Sequence, residues 1–316
     1  MKRREFLTSV AAPLAMMPLA SRLSAQGAQT PPAASKPVRL KQSVMSSVWG
    51  NSTPMFEDKC KVLARIGFKG IDLPTAAQIP IMKQYGLSPT MMTGTGTTMQ
   101  NGFIRKEMHD MIEAECRKGI DQMASLGCPI LIGFAGERRG MSYEEAADNT
   151  VAIVNRVKGY AEQKKVMLTI EITNSKVVAD QRVDQTFNHV AWGFDVCKRV
   201  NSPYIRIVYD IYHVQIADGD VVRGLRENMD KIAHFHVAGV PGRNEIDETQ
   251  ELNYRFIAQA IVDTGYTGYI AHEYRPSTGK DPIQDLEKAF AMLITQMGSS
   301  SGFNPEELRA ALRGEK

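Results

Sequence analysis

Pro129-Ile-Leu-Ile-Gly-Phe134 and Val166-Met-Leu-Thr-Ile-Glu-Ile172 are short β-rich runs on either side of a longer segment that opens with Ser142-Tyr-Glu-Glu145. That opening has the form of a capping box, in which the serine takes one orphan amide and the glutamate reaches back for another. Behind it Ala147, Val151, Val154, Val157 and Ala161 keep one apolar face at helical spacing. The stretch reads as strand, helix, strand. The same alternation runs outward in both directions from Val38, with strands expected at Gln42–Ser47, Lys69–Leu73, Ser88–Thr93, Tyr204–Asp210, Ile232–Val237 and Gly268–His272. The last helix opens on Asp281-Pro282, a cap followed by a proline in the first turn. Leu286, Phe290, Leu293 and Met297 then recur at helical spacing, and Gly298 supplies a stop.

Strands that alternate with helices require a parallel sheet, because each return to the same edge needs a crossover. Eight such units between residues 38 and 300 match a closed α/β barrel of the (β/α)8, or TIM, type in count and length. An open doubly wound sheet is the rival. It lacks a phosphate-binding loop, since no G-x-G-x-x-G follows any strand, and Gly94-Thr-Gly96 reads as a flexible strand-to-helix connection. Residues 301–316 form a tail, with a further short helix expected from Asn304.

The chain begins Met1-Lys-Arg-Arg-Glu-Phe-Leu-Thr, followed by an apolar run from Ser9 to Ala20 and then small and polar residues. A basic end, a short apolar core and a cleavable region make residues 1–25 a signal peptide. Arg3-Arg4 before Phe6-Leu7 marks the twin-arginine type, which implies a periplasmic destination. Residues 26–37, rich in Ala, Pro, Gln and Ser, read as a disordered leader. The apolar run is shorter than the roughly 20 residues of a spanning helix, so no membrane association is expected once the signal is removed. Cys60, Cys116, Cys128 and Cys197 are an even set that permits disulfides in an exported protein. Folding before export takes place in a reducing compartment, which favours four buried thiols instead.

Barrel enzymes place reactive groups at the C-terminal ends of strands. Here the fifth strand ends on Glu171, the sixth on Asp210, the seventh on His236 and the eighth on Glu273. A carboxylate at the end of an apolar strand is costly to bury unpaired. Three of them converging with an imidazole point to a cation. Oxygen and imidazole donors suit one divalent ion, and Mn, Mg, Co and Zn all fit. His234 shares a strand face with His236 but lies deeper, as a supporting or packing group, and His272 faces the other way as a structural residue. Trp49 follows the first strand and either walls a sugar site or packs. Trp192 reads as core. The run Gly136-Glu-Arg138-Arg139-Gly140 is either a binder of substrate oxygens or a solvated loop.

The stretches Tyr209-Asp-Ile-Tyr-His213-Val-Gln215, His234-Phe-His-Val-Ala-Gly-Val-Pro-Gly-Arg243-Asn-Glu245, Glu251-Leu-Asn-Tyr254 and His272-Glu-Tyr-Arg-Pro276 together resemble the hydroxypyruvate isomerase branch of the xylose-isomerase-like barrels. That superfamily also holds ketose epimerases and endonuclease IV. The resemblance covers nearly all of the chain after residue 40 and is densest from Glu171 to Pro276. It implies metal binding by Glu171, Asp210, His236 and Glu273, with Glu171 and Glu273 doubling as a catalytic acid/base pair. It also implies that His213 and Arg243 bind substrate oxygens. Two departures stand out. Hydroxypyruvate isomerases carry glutamine where His236 stands and the epimerases carry histidine. The loop here reads Asn-Glu-Ile-Asp-Glu-Thr-Gln in place of a Gly/Pro-rich run.

These parts describe an isomerase of a small hydroxy-keto acid or sugar. It would work through an enediolate, with a glutamate moving a proton next to a carbonyl. A ketose or keto-sugar epimerase, or a lyase acting on oxidised sugars in the envelope, would use the same parts. A non-catalytic sugar-binding barrel is the alternative of another class, and the intact glutamate pair weighs against it. The partner expected is a small molecule, and homo-oligomerisation stays open. A net charge of +3 and six histidines offer neither the basic surface nor the multi-metal cluster of a nuclease, so no nucleic acid is expected.

Overall fold

A computed structural model of the protein describes residues 40–52, 54–177 and 184–294. The expected signal, the leader and the C-terminal tail lie outside the described residues. Eight parallel strands close into a barrel in sequence order: β1 (Lys41–Val44), β2 (Gly70–Asp72), β3 (Ser88–Thr93), β4 (Ile130–Gly133), β5 (Met167–Glu171), β6 (Ile205–Asp210), β7 (Ile232–Val237) and β8 (Tyr269–His272). The ring is shut by β8 against β1, where Lys41 to Val44 pair with Tyr269 to His272. Helices α1 (Phe56–Ile66), α2 (Ile79–Gln84), α3 (His109–Leu126), α4 (Tyr143–Lys164), α5 (Val190–Val200), α6 (Ile211–Ala217), α7 (Val221–Glu227), α8 (Tyr254–Asp263) and α9 (Pro282–Met292) fill the crossovers and follow the last strand.

The start signals of α4 and α9 both cap their helices, that of α4 through its serine. Ser142 Oγ accepts the amide of Glu145 at 3.1 Å and starts α4, a contact worth about 1 kcal/mol. Asp281 caps α9 through the amide of Ile283, with Pro282 behind it. Helix α1 stops at Gly67, whose φ of 115° opens the left-handed turn that hands the chain to β2. Gly70 has a different task. A Cβ there would lie 2.3 Å from Thr90 Cγ2, so only glycine lets β2 lie this close to β3.

Two boundaries differ from expectation by more than one residue. Strand β1 ends at Val44, because Ser46–Trp49 curls into a 3₁₀ turn that buries Val48 and Trp49. Trp49 is therefore a packing residue, with the Lys59 ammonium over its ring at 5.6 Å. Helix α9 leaves helical geometry at Leu293, before the β-branched Ile294. Met297 and Gly298 lie outside the described residues.

One large apolar layer joins the sheet to its helices and includes Leu63, Met123, Val154, Val157, Trp192, Phe235 and Phe290. All four cysteines are free and buried in it, as the reducing route predicts. Burial pushes the Cys60 thiol up to about 11 and the other three to about 12, which leaves them unreactive. Among the described residues no helix is long and apolar enough to cross a membrane.

Candidate metal centre and active site

The four strand-end residues meet. Glu171, Asp210, His236 and Glu273 each offer one donor atom, and these atoms all lie within 4.8 Å of one another. Parallel pairing brings this about. Asp210 on β6 lies opposite His236 on β7, and Glu273 follows the last residue of β8 at the same end of the barrel. The imidazole sits between the two glutamates, with Nδ1 at 2.9 Å from Glu171 Oε1 and 2.7 Å from Glu273 Oε2.

Arg243 reaches the ring from the loop after β7. Its guanidinium lies 2.8 Å from Glu273 Oε1 and 3.3 Å from Asp210 Oδ2, across the face of Tyr212. The arginine itself adopts a φ of 57°, and a left-handed non-glycine residue of this kind costs on the order of 1–3 kcal/mol unless its surroundings impose it. Its amide donates to Gly239 O at 2.9 Å and its carbonyl accepts from Arg275, which fixes the loop that aims it.

His213 completes the wall. Asp210 caps α6 by accepting the amide of Tyr212 on Oδ1, so His213 sits in the first turn with Nε2 3.4 Å from Asp210 Oδ2. Its other nitrogen, Nδ1, faces Asn174 Nδ2 at 2.7 Å. The oxygen of Asn174 already accepts the amides of Lys176 and Val177, so its NH₂ group must donate to Nδ1. The hydrogen of neutral His213 therefore rides on Nε2 and points into the site.

The charges do not balance without a cation. Burial pushes the Asp210 carboxyl up to about 7, and Glu273 and Glu171 add to this against the pull of Arg243 and His236. Burial would strip His236 of its proton, but Glu273, Asp72 and Glu171 together hold it well above the ordinary imidazole range. Even with His236 protonated, one guanidinium and one imidazolium face the three ring carboxylates and Asp72 behind them, and a divalent ion among these oxygen and nitrogen donors would offset the excess. The residues present fit such an ion.

The sequence reading missed Asp72 and Asn174. Asp72 has the signature that found the others, a carboxylate at the end of an apolar strand. It is fully buried and touches both His234 Nε2, at 2.7 Å, and His236 Nε2, at 3.2 Å. His234 lies beneath His236 as expected, the two rings at 87° and 5.2 Å apart. His272 faces outward, bonded to Gln42 at 2.8 Å and edge-on to Phe68. Burial holds it down to about 3. Arg138 pairs with Asp184, in the segment between β5 and α5, at 2.6 Å, and Arg139 with Glu137 of its own loop at 3.3 Å. Trp192 is core, with its indole N–H on Tyr143 O.

Comparison with known proteins bears on the family and the fold. Residues 60–296 match the family described as xylose isomerase-like TIM barrel. A 2-oxo-tetronate isomerase of Haemophilus influenzae is 26% identical over 249 residues, which is 74% of this chain and 94% of that protein. A Mus musculus protein named as a hydroxypyruvate isomerase is 28% identical over 173 residues. That alignment takes in 52% of this chain and 61% of the mouse protein, less than two thirds of its length. Among solved structures, the apo form of a 3-keto-D-glucoside 4-epimerase from E. coli superposes with a TM-score of 0.67 at 18% identity, covering 81% of this chain and 99% of that one. At that identity the likeness is one of fold.

Proposed function

The chain belongs to the xylose isomerase-like TIM barrel family, and on that premise we propose that it is a metal-dependent isomerase of a small hydroxy-keto acid or sugar. The observation that carries the reading is the ring itself: two buried carboxylates, a half-buried third and an imidazole at one end of the barrel, gripped by a single arginine. Relatives named as isomerases of hydroxypyruvate and of 2-oxo-tetronate support the substrate class.

The residues divide the work. Glu171 and Glu273 flank the centre, so one carboxylate can take the proton from the carbon beside a carbonyl. The electron pair moves onto that carbonyl oxygen to give an enediolate, and a glutamate returns a proton to the neighbouring carbon. A divalent ion bound there would supply fixed positive charge against that oxygen. Arg243 and the Nε2–H of His213 hold substrate oxygens in register.

Return of the proton from the opposite face would give epimerisation with the same residues. Histidine at position 236, as the epimerases carry, favours this as the second reading, and a lyase acting on oxidised sugars would share the first step. Glu171→Gln and Glu273→Gln test the assignment. Each keeps size and one oxygen but loses basicity, so turnover should fall by about 10²–10⁴-fold in variants shown by elemental analysis to hold the ion. Solvent deuterium should enter the product carbon in the wild type. Metal-loaded glutamine variants with wild-type turnover, or product free of deuterium, would sink the enediolate route.

We also propose export to the periplasm, on the strength of Arg3-Arg4 and the apolar run behind it. Arg3→Lys with Arg4→Lys should trap the protein inside the cell, because the twin-arginine receptor reads that pair as an address. Unchanged appearance in the periplasmic fraction would refute that route.

A further inference from the structure

We infer that Asp72 is the positioning residue of His236, turning Nε2 of the imidazole inward so that Nδ1 is the nitrogen offered to the metal ion. The inference rests on the metal reading proposed above and concerns which atom binds and what fixes it.

The geometry is specific. Asp72 closes β2 and His236 lies on β7, two strands that are not neighbours, since β1 and β8 stand between them in the closed ring. The contact therefore crosses the barrel interior. On one side, Asp72 Oδ1 accepts the hydroxyls of Ser43, at 2.8 Å, and of Thr90. On the other, Oδ2 lies 2.7 Å from His234 Nε2 and 3.2 Å from His236 Nε2. Ser43, Thr90, His234 and His236 are all buried, so no water competes for the carboxylate. A carboxylate only accepts, so both imidazoles must present N–H to it. With hydrogen on Nε2, the lone pair of His236 that is free for an ion belongs to Nδ1, the atom facing Glu171 and Glu273.

The ring has a second orientation that Asp72 excludes. A half-turn about its bond to Cβ exchanges Nδ1 with a carbon and Nε2 with a carbon. The flipped ring would aim a C–H at the glutamates and lose its bond to Asp72. Shape alone barely separates the two orientations, because nitrogen and C–H are nearly the same size. The buried carboxylate separates them by chemistry. His234 helps by holding Oδ2 from below, which accounts for two histidines at alternate positions of β7 serving one centre. Partners behind a ligating histidine commonly contribute 10–100-fold in metal affinity.

The test uses the full mature chain with Cd²⁺ as the probe. Affinity is measured by competition with a chelator, and the ligating nitrogen is read by NMR on nitrogen-labelled histidine. The wild type should take up one ion per chain through Nδ1 of His236. Asp72→Asn should weaken binding by about 10–100-fold and give a mixed or altered histidine signature. Wild-type affinity and an unchanged Nδ1 signal in Asp72→Asn overturn the inference. If that variant does not fold, Ser43→Ala with Thr90→Val loosens the same carboxylate from its other side. The pair should weaken binding by at least several-fold, and wild-type affinity there overturns the inference equally. Two ions per wild-type chain, with the second on Asp72, His234 and His236, would make Asp72 a ligand and overturn it as well. A wild type that takes up no ion at all fails differently: it removes the metal reading itself, and this assignment with it.

Discussion

The two halves of the barrel do different work. Strands β5 to β8 end on the groups that would touch an ion or substrate: Glu171, Asp210, His236 and, one residue on, Glu273. Strands β1 to β3 add no donor to that ring, yet Ser43, Asp72 and Thr90 from those strands meet beneath it and hold His236 from across the interior. A carboxylate at a strand end can thus serve either purpose. What separates Asp72 from Asp210 is its company. Asp210 lies among other carboxylates and is pushed up to about 7. Asp72 is surrounded by donors, and although burial opposes ionisation, His234 and His236 hold its carboxyl well below the usual range. Like charges gathered in one place call for a cation, whereas a carboxylate with all its donors in place is a structural part.

The largest effect should come from breaking the half proposed to hold the ion. Asp210→Ala removes a ligand and one arm of Arg243, so the folded variant should lose its ion entirely, read by elemental analysis beside circular dichroism. Stoichiometric metal in that variant would erase the distinction between the halves. The glutamine variants should cost turnover, and Asp72→Asn should cost affinity first, which keeps chemistry and positioning experimentally apart.

A smaller effect should come from the side of β8 that faces away from the centre. His272 is adjacent to Glu273 yet points outward to Gln42, and burial lowers it from 6.5 to about 3. A folded pKa below the unfolded one means that the unfolded chain takes the proton first. The stability due to neutral His272 is therefore full above about pH 6.5 and is lost as the pH falls towards 3. From the size of the shift the loss is at most about 5 kcal/mol. Urea unfolding of His272→Gln between pH 4 and 7 should show a flatter slope than the wild type, and equal slopes would show that His272 does not govern acid stability.

Much of this was legible in the residues. The eight strands, the caps at Ser142 and Asp281 and the four ring residues all follow from one-dimensional signals: alternation, period, and a charged group closing an apolar run. The same rule applied to Gly70-Ile-Asp72 would have found Asp72, but that strand is only three residues long and its apolar run too brief to stand out. Asn174 carries no signal of its own. Its role follows from two backbone amides that claim its oxygen, and the path of the loop after β5 alone places them there. The Arg138–Arg139 loop read equally well as binder or as solvated turn until Asp184 and Glu137 were seen to occupy it.

The sequence by itself determined the barrel, its strand order and the convergence of Glu171, Asp210, His236 and Glu273, because periodicity and strand-end position are local properties that parallel pairing carries directly to one mouth. The tertiary structure alone decided which nitrogen of His236 faces the glutamates, which nitrogen of His213 Asn174 occupies, and that Asp72 reaches both His234 and His236 from across the barrel. Those outcomes depend on contacts between strands that are distant in the chain and not adjacent in the sheet, and a side chain's hydrogen-bond partners across a closed barrel leave no mark on the spacing of its own strand.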